Sequence, residues 1–286
     1  MPLASAASYN LLSLQPVVGA PIGGPLANGL VFCAPMNEGS GVGRDAVGGI
    51  SPAVAGTAPV WSTVGKYRGP NWTAGTSYFS YGGTASGTIP KWASSYVSSL
   101  NVKSLNFSVM CVAIPNVITR IEYCGLWAGT YGWALSQINV SSYLEFAVQY
   151  GGFNFVSANS GVAPVAGTLY NMIGTVDYHN TLCTFYLNGA KGAATAAHVP
   201  DPTSVNNFTI GGDADGAHAN STIFIVAVWN RVLSLPEIQV LNANPYAMFL
   251  PTAPQQRWWF LYKAGGTFLA PRPLVVGQAV KRASIY

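Results

Sequence analysis

Residues 223–238 read IFIVAVWNRVLSLPEI, and this stretch decides the fold class. Its first part, from Ile223 to Trp229, is an uninterrupted apolar run of strand length. Its second part has Ser234, Pro236 and Glu237 at the spacing of a helical capping box with proline in the first turn. We therefore expect a fully buried strand that is followed at once by one short helix.

The predicted helix is about two turns long. Ile238 and Leu241 give it one apolar face, with the membership of Leu235 left open, and Asn244-Pro245 ends it because the residue before proline avoids the helical conformation.

The chain upstream of this stretch is rich in short β-type runs from Gly29 onward. Runs of Val, Ile, Phe, Tyr and Thr alternate with Gly, Pro, Asn and Ser, and this regular spacing is typical of a sandwich or barrel. The predicted strands are 30–35, 76–81, 105–114, 121–127, 132–138, 143–149, 169–177, 182–188, 207–211 and 222–229. Asn188-Gly189 predicts a type I′ hairpin turn, and Tyr150-Gly151-Gly152-Phe153 predicts a second hairpin that joins 143–149 to 153–157.

Several of these segments resemble, in order, those of laminin-G-like, concanavalin A-like domains. The resemblance covers residues 29–249 and rests on segments 29–41, 106–115, 169–177, 184–189, 208–212 and 223–238. It implies an all-β, two-sheet antiparallel jelly-roll sandwich with one short C-terminal helix. We divide the chain into an extended N-terminal arm (1–28), the sandwich (29–250) and an extended basic and aromatic C-terminal arm (251–286).

Composition excludes several classes of protein. Charged residues make up 8% of the chain and hydrophobic residues 50%, which excludes a disordered chain, and no apolar run reaches the length of a membrane span. Residues 251–286 hold five basic residues and no acidic one, too sparse a distribution to predict nucleic-acid binding. The first 28 residues contain no Lys or Arg, so we expect synthesis in the host cytoplasm without a signal peptide.

The sequence gives little support to a metal site or to catalysis. Asp213 and Asp215 are the best candidates for Ca²⁺, but two carboxylates fall short of the six to eight oxygens that Ca²⁺ takes, and a turn is favoured over a metal site. The run 223–228, which in the resembling family often carries acidic residues, has none. Glu145 is interpreted as a lone, exposed strand residue, so no carboxylate pair for glycoside hydrolysis is expected and the chain is predicted not to be an enzyme.

Cysteine spacing also argues against a metal site. Cys33, Cys111, Cys124 and Cys183 form no CxxC pair, and three of them lie in apolar strands. We expect small buried side chains, with a disulfide left open.

Two groups of residues are candidates for binding. Aromatic side chains that could hold a sugar are Trp127, Tyr131, Trp133, Tyr150 and Phe153, although packing in a core or an interface is favoured for such rings. Residues of the C-terminal arm that could contact a neighbouring subunit are Arg257, Trp258, Trp259, Phe260, Arg272, Lys281 and Arg282.

Two functional hypotheses follow. The closing segment 242–249, with Pro251 and Arg257-Trp258-Trp259, resembles laminin-G-like proteins of tailed bacteriophages, which implies a structural virion surface protein: capsid decoration, head fibre or tail component. Such a protein would be anchored through its arms to a capsid or tail protein of the same particle, and the low charge suggests a homo-oligomer. The alternative is a soluble carbohydrate-binding adhesin or lectin-like module that recognises a cell-surface glycan.

Overall fold

The structure is a computed structural model that describes residues 16, 20–64, 67–73, 77–81, 106–126, 132–137, 143–149, 154–177, 179–196, 208–212 and 218–249. Its strands form two antiparallel sheets that stack face to face, which confirms the predicted all-β sandwich. In the described part of the chain, no helix is long and apolar enough to cross a membrane.

The back sheet contains eight of the described strands. Its order is β13-β12-β11-β6-β15-β4-β3, and β15 pairs with β4 at its start and with β1 at its end. The strands are β1 (Leu30–Ala34), β3 (Val60–Val64), β4 (Tyr67–Trp72), β6 (Asn106–Pro115), β11 (Tyr170–Asp177), β12 (Leu182–Leu187), β13 (Ala190–Ala196) and β15 (Ser221–Trp229).

The front sheet contains the other seven, in the order β10-β9-β8-β7-β14-β5-β2. These are β2 (Ala53–Ala55), β5 (Tyr78–Tyr81), β7 (Ile121–Gly125), β8 (Gly132–Gln137), β9 (Glu145–Gln149), β10 (Phe155–Asn159) and β14 (Phe208–Ile210). Strands β7 to β10 form a meander, so the connections between them alternate between the two ends of the sheet.

Apolar side chains fill the space between the sheets and also cover the outside of the back sheet. Phe32, Phe107, Trp133, Phe146 and Phe208 lie in the inner core, in edge-on or tilted ring contacts. Because β6 and β15 are buried on both faces, their sequences are continuous apolar runs rather than alternating ones. The outer cluster on the back sheet includes the helix α1 (Leu235–Ala243) and the chain that follows it.

Arg231 joins the helix to the N-terminal segment. Its guanidinium donates to both carboxylate oxygens of Glu237, at 2.7 and 2.9 Å, and its Nε donates to the carbonyl of Asn28 at 2.7 Å. The Glu237 carboxylate also accepts the backbone N–H of Ser234, which is the cap predicted from the sequence. The Ser108 hydroxyl donates to the carbonyl of Arg231, so the stretch 230–234 of the resembling family has a structural role here.

The segment predicted as an N-terminal arm packs on the sandwich in its last part. Leu26 is buried in the outer cluster, its carbonyl accepts the indole N–H of Trp229 at 2.8 Å, and Ile22 forms a β-bridge with Phe249. Pro25–Ala27 forms a short 3-10 helix, where the proline and glycine content had predicted extended chain.

All ten predicted strands are present, with ends that differ by a few residues at most. The prediction missed β2, β3, β4 and β13, which are short or contain Gly and Pro. Asn188 and Gly189 both have positive φ, as the predicted turn between β12 and β13 requires. Ile238 and Leu241 are the buried residues of the helix, as predicted, and Leu235, which the sequence left open, is exposed.

Candidate functional site

The outer face of the front sheet carries a polar row near one end of the sandwich. Phe146 and Leu135 point into the core, so their neighbours Glu145 and Ser136 point outward. Ser136 pairs with Glu145 on one side and with Glu122 on the other, and Asn159 pairs with Glu145. We call these four residues the polar row: Glu122, Ser136, Glu145 and Asn159.

The two carboxylates of the row are buried although they lie on the outer face. Glu122 is 2% exposed and Glu145 is 7% exposed. Oε1 of Glu122 lies 3.3 Å from the hydroxyl of Thr209, in space that Gly125 leaves because it has no side chain. Oε1 of Glu122 is therefore directed towards Gly125 of its own strand and Thr209 of β14.

The interpretation of Glu145 as a lone, exposed residue is wrong. It is buried, and Glu122 lies two strands away on the same face. The usual spacing between neighbouring strands puts the two Cα atoms about 9–10 Å from each other. Glu122 was missed although it lies in a predicted strand and alternates with the core residues Ile121 and Tyr123. The pairing register that brings it level with Glu145 is not visible in the sequence.

The connections β7–β8 and β9–β10, which contain four of the five aromatic candidates, begin and end at the opposite end of the same sheet. Leu126 hydrogen-bonds to Trp133, Gly132 pairs with Gln149, and Gln149 pairs with Phe155. The connection from β7 to β8 and the connection from β9 to β10 therefore both begin and end at one end of the sheet, which we call the 126/155 end. Trp127, Tyr131, Tyr150 and Phe153 belong to those two connections and lie outside the described residues.

Trp133 occupies the core. Its ring is 2% exposed and contacts Phe107 and Phe208, at centroid distances of 5.5 and 5.8 Å. Trp133 is therefore a packing residue, which was the role favoured for these rings, and its faces are not open to a ligand.

An aromatic residue that the sequence analysis did not single out is exposed at the 126/155 end. Phe155 is 47% exposed and alternates with Val156, which packs against the core, so its ring lies on the outer face of the front sheet. Gly132, in the same row two strands away, has no side chain. The signal for Phe155 was its position within 153–157, the segment predicted to follow the Gly-Gly turn as the second strand of the hairpin.

The other predicted sites fall outside the described part of the chain. Asp213 and Asp215 are among them, as are all the arm residues: Arg257, Trp258, Trp259, Phe260, Arg272, Lys281 and Arg282. Within the described ranges, no group of three or more His, Cys, Asp or Glu side chains is placed to hold a metal ion.

The cysteines are buried, and burial controls their chemistry. Cys33, Cys111, Cys124 and Cys183 are all free thiols. Burial raises the pKa of the Cys183 thiol to about 12 and that of Cys33 well above its ordinary value. Thiolate nucleophiles are therefore not available at neutral pH from these two residues.

A comparison with family models matches residues 99–239 to the concanavalin A-like lectin/glucanases superfamily, in its laminin-G-type group. These residues are therefore similar to that superfamily, and the two-sheet sandwich agrees with the match. The match spans just under half of the chain, and the strands of the sandwich continue on its N-terminal side to Leu30. A search of curated proteins gives no match.

Solved structures with the same fold have low sequence identity. Domain 4 of an extracellular family GH43 arabinanase from Geobacillus stearothermophilus, in complex with arabinotriose, is 14% identical with a TM-score of 0.56, over 74% of this chain and 98% of that domain. The binding domain of Paraclostridial mosquitocidal protein 1 is 12% identical with a TM-score of 0.53, over 75% of this chain and 52% of that chain. The Trypanosoma rangeli sialidase in complex with the inhibitor DANA is 15% identical with a TM-score of 0.52, over 84% of this chain but only 37% of the sialidase. At these identities the similarity shows the fold.

Proposed function

We propose that the concanavalin A-like domain binds carbohydrate at the 126/155 end of its front sheet. The observation that carries this proposal is that the connections β7–β8 and β9–β10 begin and end at one end of the front sheet, at Leu126, Gly132 and Gln149, which is also the end of the exposed Phe155. The superfamily description and the arabinotriose complex of the similar arabinanase domain support a glycan as the ligand class.

Aromatic residues suit this role for a physical reason. A sugar ring presents apolar C–H faces that pack on aromatic rings, and each ring can remove a large area from water. Hydroxyl groups around the sugar rim need hydrogen-bond partners, which the backbone and polar side chains of loops supply. In this proposal Trp127, Tyr131, Tyr150 and Phe153 bind the sugar together with Phe155.

The test is glycan-array screening of the full chain, followed by calorimetry with the best ligand. We expect Phe155→Ala and Trp127→Ala each to weaken binding about tenfold or more, as buried aromatic anchors do in interfaces. Tyr143→Ala is the matched control, because Tyr143 is 44% exposed and lies at the opposite end of β9. Equal losses for Phe155→Ala and Tyr143→Ala, or no glycan bound by the wild type, would contradict the proposal.

We also propose that the domain binds without catalysis. Glu122 and Glu145 are buried and Glu122 leans towards Thr209, whereas a glycosidase needs two carboxyl groups that both reach the scissile bond. Release of reducing ends from the bound glycan, abolished by Glu145→Gln, would overturn this part.

A second candidate is the virion surface role, in which the domain is displayed on a phage particle and the C-terminal arm anchors it. The low charged content and the basic, acid-free segment 251–286 favour it. Light scattering of the full chain and of a chain ending at Phe249 tests it. An assembly that needs residues 250–286 would support anchoring through the arm, and two indistinguishable monomers would remove the main reason for this candidate.

A further inference from the structure

Two of the four cysteines meet across the inner core, one from each sheet. Cys111 lies in β6 of the back sheet and Cys124 in β7 of the front sheet, and both side chains belong to the core between the sheets. Each residue is 0% exposed, and the Cys124 thiol is hydrogen-bonded to the Cys111 thiol. A hydrogen bond between two thiols brings their sulfur atoms close to each other, which is the first requirement for a disulfide.

The two sheets approach each other at these two strands. Some Cα atoms of β6 lie within 8 Å of Cα atoms of β7. Stacked sheets are usually about 10 Å apart, and a disulfide joins Cα atoms that are usually about 4.4–6.8 Å apart. A disulfide between sheets therefore needs strands that converge, as β6 and β7 do.

The other two cysteines have different surroundings. Cys33 lies on the opposite face of the back sheet, in the outer cluster, so the sheet itself separates it from the three thiols of the inner core. The Cys183 thiol donates to the backbone carbonyl of Phe146 at 4.0 Å. The contacts therefore single out Cys111 and Cys124 as the pair.

We propose that Cys111 and Cys124 form a disulfide between the two sheets when the chain folds in the presence of a small-molecule disulfide such as oxidised glutathione. The thiolate of one cysteine attacks a sulfur atom of the oxidant, forms a mixed disulfide and releases one glutathione thiolate. The thiolate of the other cysteine then attacks the sulfur of the first cysteine and releases the second glutathione thiolate. Two electrons pass from the cysteines to the oxidant, and the two cysteine protons end on the two glutathione molecules.

Burial decides when this bond can form. Neither thiol is accessible in the folded sandwich, and burial raises the pKa of Cys124 well above its ordinary value, so its thiolate is scarce there. The reaction therefore takes place before the core closes. A chain that has folded with reduced thiols keeps them, and a disulfide inside the closed core is shielded from reductants. The presence of the bond thus depends on the redox conditions during folding and not on those that the folded protein meets later.

Refolding of the full chain from denaturant, either with oxidised glutathione or with a reductant, tests the proposal. Mass spectrometry of a digest made without reductant should find peptides linked through Cys111 and Cys124 in the oxidised sample only. Trypsin cuts after Arg120, between these two cysteines, and chymotrypsin separates Cys124 from Cys183. Because a cross-link restricts the unfolded chain, we expect the oxidised protein to have a Tm about 4–8 °C above that of the reduced one.

Cys124→Ala removes one partner of the pair, and Cys33→Ala is the matched control because Cys33 is equally buried but lies in the outer cluster. The difference in Tm between the oxidised and reduced forms should vanish in Cys124→Ala and persist in Cys33→Ala. Each variant is compared with its own reduced form, so the cost of the lost side chain cancels.

The absence of a linked peptide after oxidative refolding of the wild type would overturn the proposal, and so would a link that joins other cysteines. The folded, reduced protein in oxidised glutathione checks the role of burial. It should form the bond far more slowly than the refolding chain, and equal rates would contradict the conclusion that the bond forms before the core closes.

Discussion

Asp45 fixes the loop after β1 through hydrogen bonds from the backbone. Its carboxylate accepts the N–H groups of Cys33 and Val47 at 3.0 Å and that of Gly48 at 2.8 Å. Burial raises the pKa of Asp45, while these three donors act in the opposite direction. A side chain with two acceptor oxygens is therefore required at this buried position.

Asp45→Asn should destabilise the protein by about 1–3 kcal/mol. The amide replaces one acceptor oxygen with an NH₂ group, so one buried N–H loses its partner. Chemical denaturation at pH 7 measures the change. Asp177→Asn is the matched control, because Asp177 is only partly buried, and it should change the free energy of unfolding by about 0.5 kcal/mol or less. Equal effects of the two substitutions would show that the three backbone contacts of Asp45 do not matter.

The four cysteines should be unreactive in the folded protein. All are buried, and the raised pKa of Cys33, Cys124 and Cys183 keeps these thiols protonated at pH 8. Titration with a thiol reagent should detect almost no reaction in buffer and all four thiols in denaturant. Fewer than four thiols in denaturant without reductant would reveal a disulfide, the alternative that the sequence alone left open.

At the scale of the element, the ion pair at the start of α1 should make the free energy of unfolding depend on pH under acidic conditions. The Arg231 guanidinium beside Glu237 lowers the pKa of that carboxyl to about 2, with desolvation acting against it and the Ser234 N–H acting with it. A lowered pKa means that the stabilisation is fully present above the unfolded pKa and is lost as pH falls through the folded one.

Glu237→Gln should therefore cost about 1–2 kcal/mol at pH 7, and this cost should shrink between pH 5 and pH 2. Glutamine can still accept the Ser234 N–H, so the substitution removes the charge and leaves the cap in place. Urea denaturation of both proteins at pH 7, 4 and 2 provides the comparison. If the difference in the free energy of unfolding between the two proteins stays constant down to pH 2, the effect of the substitution comes from hydrogen bonding and not from charge.

The strands divide into those that local sequence predicts and those that pairing creates. The buried runs β6, β11 and β15 are long and rich in β-branched or aromatic residues, so their position follows from composition. Strand β4 contains Gly69 and Pro70, which are local turn signals, and it is a strand because β3 and β15 pair with it. Gly69 is also needed there, because a Cβ would lie 2.2 Å from the carbonyl of Ile223.

The candidate sites show the same division. The connection 150–153 was predicted from its local hairpin signal, and the meander then places the described ends of both aromatic connections at one end of the sheet. The polar row depends on register across β7, β8 and β9 and on the bulge near Glu122, which arise from long-range packing. Burial of Glu122 and Glu145 depends in turn on the assembled molecule, so an acidic residue in a strand was wrongly interpreted as exposed.

At the scale of the whole molecule, the separation of the two sheets is set where Gly174 of β11 meets Phe146 of β9. A Cβ on Gly174 would lie 2.3–2.6 Å from carbon atoms of the Phe146 ring. The ring is fully buried and also contacts Phe107 edge-on, with centroids 5.8 Å apart. The Phe146 ring of the front sheet thus occupies the space that a side chain at Gly174 of the back sheet would need.

Gly174→Ala should destabilise the sandwich by about 1–3 kcal/mol through overpacking, and Phe146→Leu should destabilise it by a similar amount through lost contacts. Because the added methyl group occupies space that the ring vacates, the double variant should lose at least 0.5 kcal/mol or so less than the sum of the single losses. Phe208→Leu is the matched control: Phe208 is also fully buried but is not among the nearest neighbours of Gly174, so its effect should add to that of Gly174→Ala. Denaturation of the five variants measures both couplings. Additive losses in the Gly174→Ala/Phe146→Leu pair would mean that the sheets relax around the methyl group and that this contact does not set their spacing.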